Sequence, residues 1–114
     1  MSERRVYVIE LSDDIGPRRD PQFPNVYVGE TGRTPEERFE THMAGGRTAS
    51  KKVARHGLRL LTDLYGHLPS YETEGESVAA EKRLCKQLRK MGYTVWGGTM
   101  GMSESFAKRS AEAS

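Results

Sequence analysis

At 114 residues the chain is long enough for one compact domain and too short for two. With 35% hydrophobic and 30% charged residues and a mean hydropathy of −0.73, its core must be small and most of its charge solvated. A net charge of +2 does not by itself imply nucleic acid, the single cysteine (Cys85) excludes an internal disulfide, and no apolar run approaches the roughly 20 residues a membrane span requires.

The N-terminal MSERR leads directly into a strand pattern without the apolar core of a signal peptide, so a cytoplasmic location is expected. The stretch 6–11, VYVIEL, is β-branched and aromatic and reads as a first strand, with Tyr7, Ile9 and Leu11 on one face. Residues 13–24, rich in Asp, Pro and Arg, form a loop longer than a tight hairpin needs. A second strand, half-buried by its alternation, begins at Val26 and is expected to pair antiparallel with the first.

The stretch that organises the chain is 25–43, NVYVGETGRTPEERFETHM. After the strand and the Thr31-Gly32-Arg33 turn, Thr34-Pro35-Glu36-Glu37 matches a capping box with proline at the first helical position. The helix carries Arg38 and His42 on one face and Phe39 and Met43 beside them, and ends near Gly45-Gly46. Residues 48–56 read as a second, basic helix stopped by Gly57. Arg47, Lys51, Lys52 and Arg55 occur there with no acid among them, as a solvated face or as a surface that follows nucleic-acid phosphates. Residues 58–64, LRLLTDL, suit either helix or strand; their glycine boundaries favour a strand.

Residues 76–91 make the strongest helix pattern, with Gly92 placed to stop it. On a wheel of about 100° per residue, Val78, Ala80, Leu84, Cys85, Leu88 and Met91 share an apolar arc, and Lys82, Arg83, Lys86, Arg89 and Lys90 lie opposite. Glu81 falls in the middle of the apolar arc. A carboxylate there requires a partner, a metal or a raised pKa, unless it reaches water at the arc's edge. Residues 93–96 have the composition of a last short strand. One domain is expected over residues 1–97, with a flexible tail over 98–114.

Tyr7, Tyr27 with Gly29, Arg38, His42 and Glu81 form an ordered set that resembles the GIY-YIG nuclease family. Val6-Tyr7-Val8 looks like the family's first motif, Tyr27-Val28-Gly29 its second, Arg38 and His42 its helix pair, and Glu81 its metal-binding glutamate. The departures are specific. No glycine precedes Tyr7, the linker between the tyrosines is long, Glu30 stands where some members carry lysine, and the closing asparagine has no counterpart near Gly97.

The resemblance implies a small α/β (α+β) domain with a central, largely antiparallel three-stranded sheet flanked by helices. It implies a metal-dependent endonuclease acting on DNA phosphodiesters with Mg²⁺ or Mn²⁺ held at Glu81. The chemistry suits these residue types. A hard cation takes carboxylate oxygen, and Arg38 can fork onto a phosphate. A phenol of lowered pKa, on Tyr7 or Tyr27, can activate water, and His42 can assist the proton or bind phosphate. Arg47, Lys51, Lys52 and Arg55 are the expected DNA contacts, and a protein partner could supply sequence specificity. Two other classes stay open: a DNA-binding module of the same fold without catalysis, and a protein-interaction domain. The tyrosines also suit plain cross-strand packing.

Overall fold

The computed structural model describes residues 3–96. Strand β1 (Arg5–Leu11) pairs antiparallel with β2 (Asn25–Thr31), in a register that sets Tyr7 opposite Gly29 and Ile9 opposite Tyr27. Helix α1 spans Pro35–Ala44, α2 Lys51–His56, α3 Thr62–Tyr65 and α4 Glu74–Met91. Two short strands complete the sheet. β3 (Gly57–Leu60) runs antiparallel to β1, and β4 (Thr94–Trp96) runs parallel to β2, giving the order β3-β1-β2-β4.

The fold is therefore α/β, as expected, but its sheet has four strands rather than three. The fourth strand is the short run that composition indicated at 93–96, formed over Thr94–Trp96. Its place beside β2 is fixed from a distance: the Trp96 indole N–H donates to Asn25 Oδ1 at 2.9 Å, and Phe23 stacks on Tyr93 with ring centroids 4.9 Å apart. The long loop before β2 is folded back by the same contacts, for Asn25 Nδ2 donates to the Gly16 carbonyl at 3.1 Å.

Because β1 and β2 are the two inner strands, both of their faces are covered. Val6, Val8, Val26 and Val28 are as buried as Tyr7 and Ile9, which corrects the half-buried reading of the second strand. The 58–64 stretch divides: the strand stops at Leu60, Leu61 gives its N–H to the Val8 carbonyl at 2.8 Å, and α3 then turns Tyr65 into the core. β3 is an edge strand, so Leu58 remains 55% exposed.

Both long helices begin on the same device. Thr34 and Glu37 form the expected capping box of α1, and Thr73 and Glu76 form a second one that starts α4 two residues earlier than its apolar pattern indicates. α1 ends at Gly45, in the left-handed region at φ 75°. α4 ends at Gly92, at φ 118°, where a Cβ would stand 2.8 Å from the Phe23 ring. The basic helix begins at Lys51 rather than residue 48, because Ser50 caps it and residues 46–49 form a turn. On α4 the buried residues are Ser77, Ala80, Glu81, Leu84, Cys85 and Leu88. Val78 is only partly covered and Met91 is exposed, so the apolar arc is narrower than the wheel suggests. Among the described residues no helix is long and apolar enough to cross a membrane. The expected tail over 98–114 lies outside the described residues.

Candidate active site

The site grows from one cross-strand pair. Tyr7 faces Gly29, and its ring lies so close over that glycine that a Cβ there would meet the phenol oxygen at 2.5 Å. Glycine at this position is therefore a condition for the tyrosine's placement. Tyr27 lies on the same sheet face, its ring 6.3 Å from that of Tyr7. The His42 ring meets Tyr27 edge-on at 5.6 Å.

His42 reaches this cluster from the third turn of α1 and is fully buried. Its Nδ1 accepts the Ser50 backbone N–H at 2.8 Å, so the ring proton resides on Nε2. Nε2–H then donates to the Tyr7 phenol oxygen at 2.9 Å. Burial, reinforced by the Arg38 charge, lowers the His42 pKa from 6.5 to about 4. His42 is thus a neutral imidazole of defined tautomer with both nitrogens occupied. That arrangement orients Tyr7, and it leaves no lone pair free to receive a proton and no N–H free to bind phosphate.

The two phenols respond to the same neighbours. Burial pushes Tyr7 well above the ordinary phenol range. Tyr27 and Glu81 push it the same way, while the Arg38 charge and its hydrogen bond pull it down. Burial likewise raises Tyr27, against a hydrogen bond with Ser50, and there too Glu81 raises and Arg38 lowers. Tyr7, Tyr27, His42, Arg38 and Glu81 therefore form one electrostatic unit assembled from β1, β2, α1 and α4. Glu81 is fully buried, as its position in the apolar arc requires.

Arg38 is the member of this unit nearest to solvent. It is partly exposed, and it donates to the Thr48 carbonyl at 2.7 Å and to Thr48 Oγ1 at 3.4 Å. It lines a cleft of about 380 Å³ with Arg4, Glu30, Arg33 and Thr48. A larger cleft of about 840 Å³, between Arg5, Tyr71 and Thr73, adjoins it through Gly32 and Arg33. Glu30 is not an open charge in this setting. Arg4 binds it with two nitrogens, at 2.8 and 3.0 Å, and Ser77 donates to it at 2.8 Å.

Arg47, Lys51, Lys52 and Arg55 are all exposed, and none forms an ion pair among the described residues. They flank Ser50, the residue that contacts both His42 and Tyr27, so this basic face begins at the rim of the site. Sequence reasoning missed Ser50, Thr48, Arg4 and Ser77. Only Ser50 carries a local signal, as the cap of a basic helix. The Arg4–Glu30 pair spans 26 residues and leaves no periodic trace.

Among the described residues no group of three or more His, Cys, Asp or Glu side chains is placed to hold a metal. A cation at this site would rely on Glu81 alone, with water and substrate oxygen completing its shell. Magnesium accepts that arrangement. The model of the GIY-YIG catalytic domain family matches residues 6–94, which include all five residues of the cluster. No curated protein and no solved structure matches the chain.

Proposed function

The chain belongs to the GIY-YIG family of nuclease domains, and on that premise we propose that it is a divalent-metal-dependent endonuclease that hydrolyses DNA phosphodiesters. The observation that carries the reading is the convergence of a buried carboxylate, two phenols and an oriented imidazole with a partly exposed guanidinium, Arg38, which lines a cleft. The donor set fits a hard cation. The charge of Glu81 now disfavours phenolate at both tyrosines, and a cation bound there cancels that penalty. Mg²⁺ or Mn²⁺ held by Glu81 would supply charge stabilisation to the phosphoryl oxygens.

Tyr7 is the better candidate to orient water and, as a phenolate whose own proton has been released to solvent, to deprotonate it, because its oxygen receives His42 Nε2–H. His42 acts through Tyr7, as a positioning residue. Arg38 forks onto the scissile phosphate after exchanging the Thr48 carbonyl for phosphate oxygens. Arg47, Lys51, Lys52 and Arg55 hold the flanking backbone.

One observation favours a second reading, a DNA-binding module without catalysis. Tyr7, His42 and Glu81 are at most 1% exposed, so a substrate phosphate has to open the cluster to reach it. A plasmid-nicking assay in Mg²⁺ and in EDTA separates the two. The endonuclease reading expects metal-dependent nicks; salt-sensitive binding without nicks supports the module.

A further inference from the structure

The outward face of α4 has no part in the chemistry above. It carries the densest run of cations in the described chain. From Lys82 to Trp96 no acidic residue occurs, and Lys82, Arg83, Lys86 and Lys90 are all exposed. None of these four forms an ion pair among the described residues. Arg89 points the same way but has a partner, so it stays out of the count. The acids of α4 lie in its first turn, at Glu74 and Glu76, apart from the inward Glu81. At the other end one carboxylate, Asp20, stands beside Gly92.

At 100° per residue the four cations span an arc of about 100°, and Lys82, Lys86 and Lys90 follow one another at about 6 Å intervals along roughly 12 Å of helix. Clustered on a chain whose net charge is only +2, four unpaired cations repel one another and are not the mixed surface that solubility favours. The partner they complement is a regular polyanion. Each strand of a duplex presents a negative charge about every 3.4 Å of axis, so a stripe of this length runs beside about three to four phosphates of one strand.

The stripe cannot serve the strand being cut. Its centre lies about 150° around α4 from Glu81, on the far side of a helix about 10–12 Å across. The rim cations of α2 flank Ser50 on the site's own side. We propose that the α4 stripe is a second DNA-binding surface, which grips a duplex segment distinct from the one entering the active site. The protein would then hold two segments at once, as two arms of a branched or sharply bent substrate or as two molecules. The proposal rests on the nuclease reading for the identity of the polyanion.

The test immobilises one duplex, loads the protein and measures capture of a second, labelled duplex. It compares the unmodified protein with two variants: Lys82→Gln/Arg83→Gln/Lys86→Gln/Lys90→Gln, and Arg47→Gln/Lys51→Gln/Lys52→Gln/Arg55→Gln. All eight positions are exposed, and melting temperatures verify folding. The unmodified protein is expected to capture the second duplex. The α4 variant should lose capture yet still nick a single plasmid. The α2 variant should lose nicking first.

Undiminished capture by the α4 variant overturns the proposal. So does loss of nicking and first-duplex binding in parallel, which would make the stripe the primary contact. Preferential binding of the stripe to anionic vesicles or RNA also overturns it. If the unmodified protein bridges duplexes but never nicks, the nuclease reading fails and the second surface stands. If it neither binds nor nicks DNA, both fail.

Discussion

Helices α1 and α4 begin with the same Thr-x-x-Glu capping box, and each delivers a fully buried polar residue eight positions after its cap: His42 on α1 and Glu81 on α4. They are held in different ways. α4 has 18 residues, and an apolar arc of Ala80, Leu84, Cys85 and Leu88 anchors it to the sheet. α1 has 10 residues and buries only Pro35 and His42, with Phe39 partly covered. Its inward anchor is itself polar, kept in place by hydrogen bonds to Tyr7 and Ser50. A buried polar group is tolerated only while its bonds are made. The carboxylate therefore sits on a rigid support, and the nitrogen side of the site sits on a support that depends on the site's own hydrogen bonds.

The largest expected effect is at the rigid helix. Glu81→Gln keeps the side chain's shape but removes the charge that would hold a cation. Metal-dependent nicking should fall by at least about 10²–10³-fold, as it does when a principal source of transition-state charge stabilisation is lost. Mg²⁺ should raise the melting temperature of the unmodified protein, and that rise should be absent from the variant. A variant that still gains stability from Mg²⁺ would separate Glu81 from the metal.

Next comes Arg38. Arg38→Ala should lower turnover by about 10²-fold or more and change DNA affinity only a few-fold, because a fork on the scissile phosphate counts most as charge develops. Arg38→Lys should recover little, since a point charge cannot reproduce two parallel hydrogen bonds. Single-turnover rates at saturating DNA, beside binding isotherms, provide the comparison. Equal losses in both would assign Arg38 to uniform binding.

The polar anchoring of α1 also makes stability depend on pH. The folded His42 pKa, about 4, lies below the ordinary 6.5. Between those values the unfolded chain binds more protons than the folded one, so stability is intact above pH 6.5 and is lost as pH falls toward 4. The full shift corresponds to about 3 kcal/mol. Urea denaturation of the unmodified protein at neutral and mildly acidic pH should show the decline. His42→Gln should be less stable at neutral pH, with a flatter pH profile. An equally steep profile in that variant would assign the acid sensitivity to other groups.

The same contrast decides what could be read from the amino-acid order. Local devices were legible: the Thr34–Glu37 box, the stop at Gly45 and the anomalous Glu81, because each is written within one or two turns of chain, and the first two strands were legible because each carries its own strand pattern. The long-range contacts were not. The bond between Tyr7 and His42 crosses 35 residues, and the His42 tautomer depends on a backbone N–H at Ser50 that no side-chain pattern advertises. The fourth strand is three residues long, and its position depends on contacts with Phe23 and Asn25 far upstream. The Thr73–Glu76 box was hidden for a different reason: Gly75 inside its first turn resembles loop, and the cap outweighs it. Residues 58–64 were ambiguous because both readings are partly realised, Leu60 closing a strand and Thr62 opening a helix.

The smallest expected effect is the most direct test of the two supports. Thr34→Ala and Thr73→Ala remove the same hydroxyl from the same motif, and each accepts the N–H three residues on at 3.1 Å. Each should cost about 1 kcal/mol of stability, measured by urea denaturation. Their effects on turnover should differ. Fraying at the start of α1 reaches Arg38 one turn in, and no apolar arc holds that turn against the sheet. Fraying at the start of α4 stops before Glu81, because Ser77 is tied to Glu30 and Ala80 and Leu84 remain packed. Thr34→Ala should therefore lower single-turnover nicking several-fold, and Thr73→Ala should leave it nearly unchanged at matched stability. Equal losses in turnover would mean that the two helices support the site equally well and that the polar anchoring of α1 costs the site nothing in rigidity.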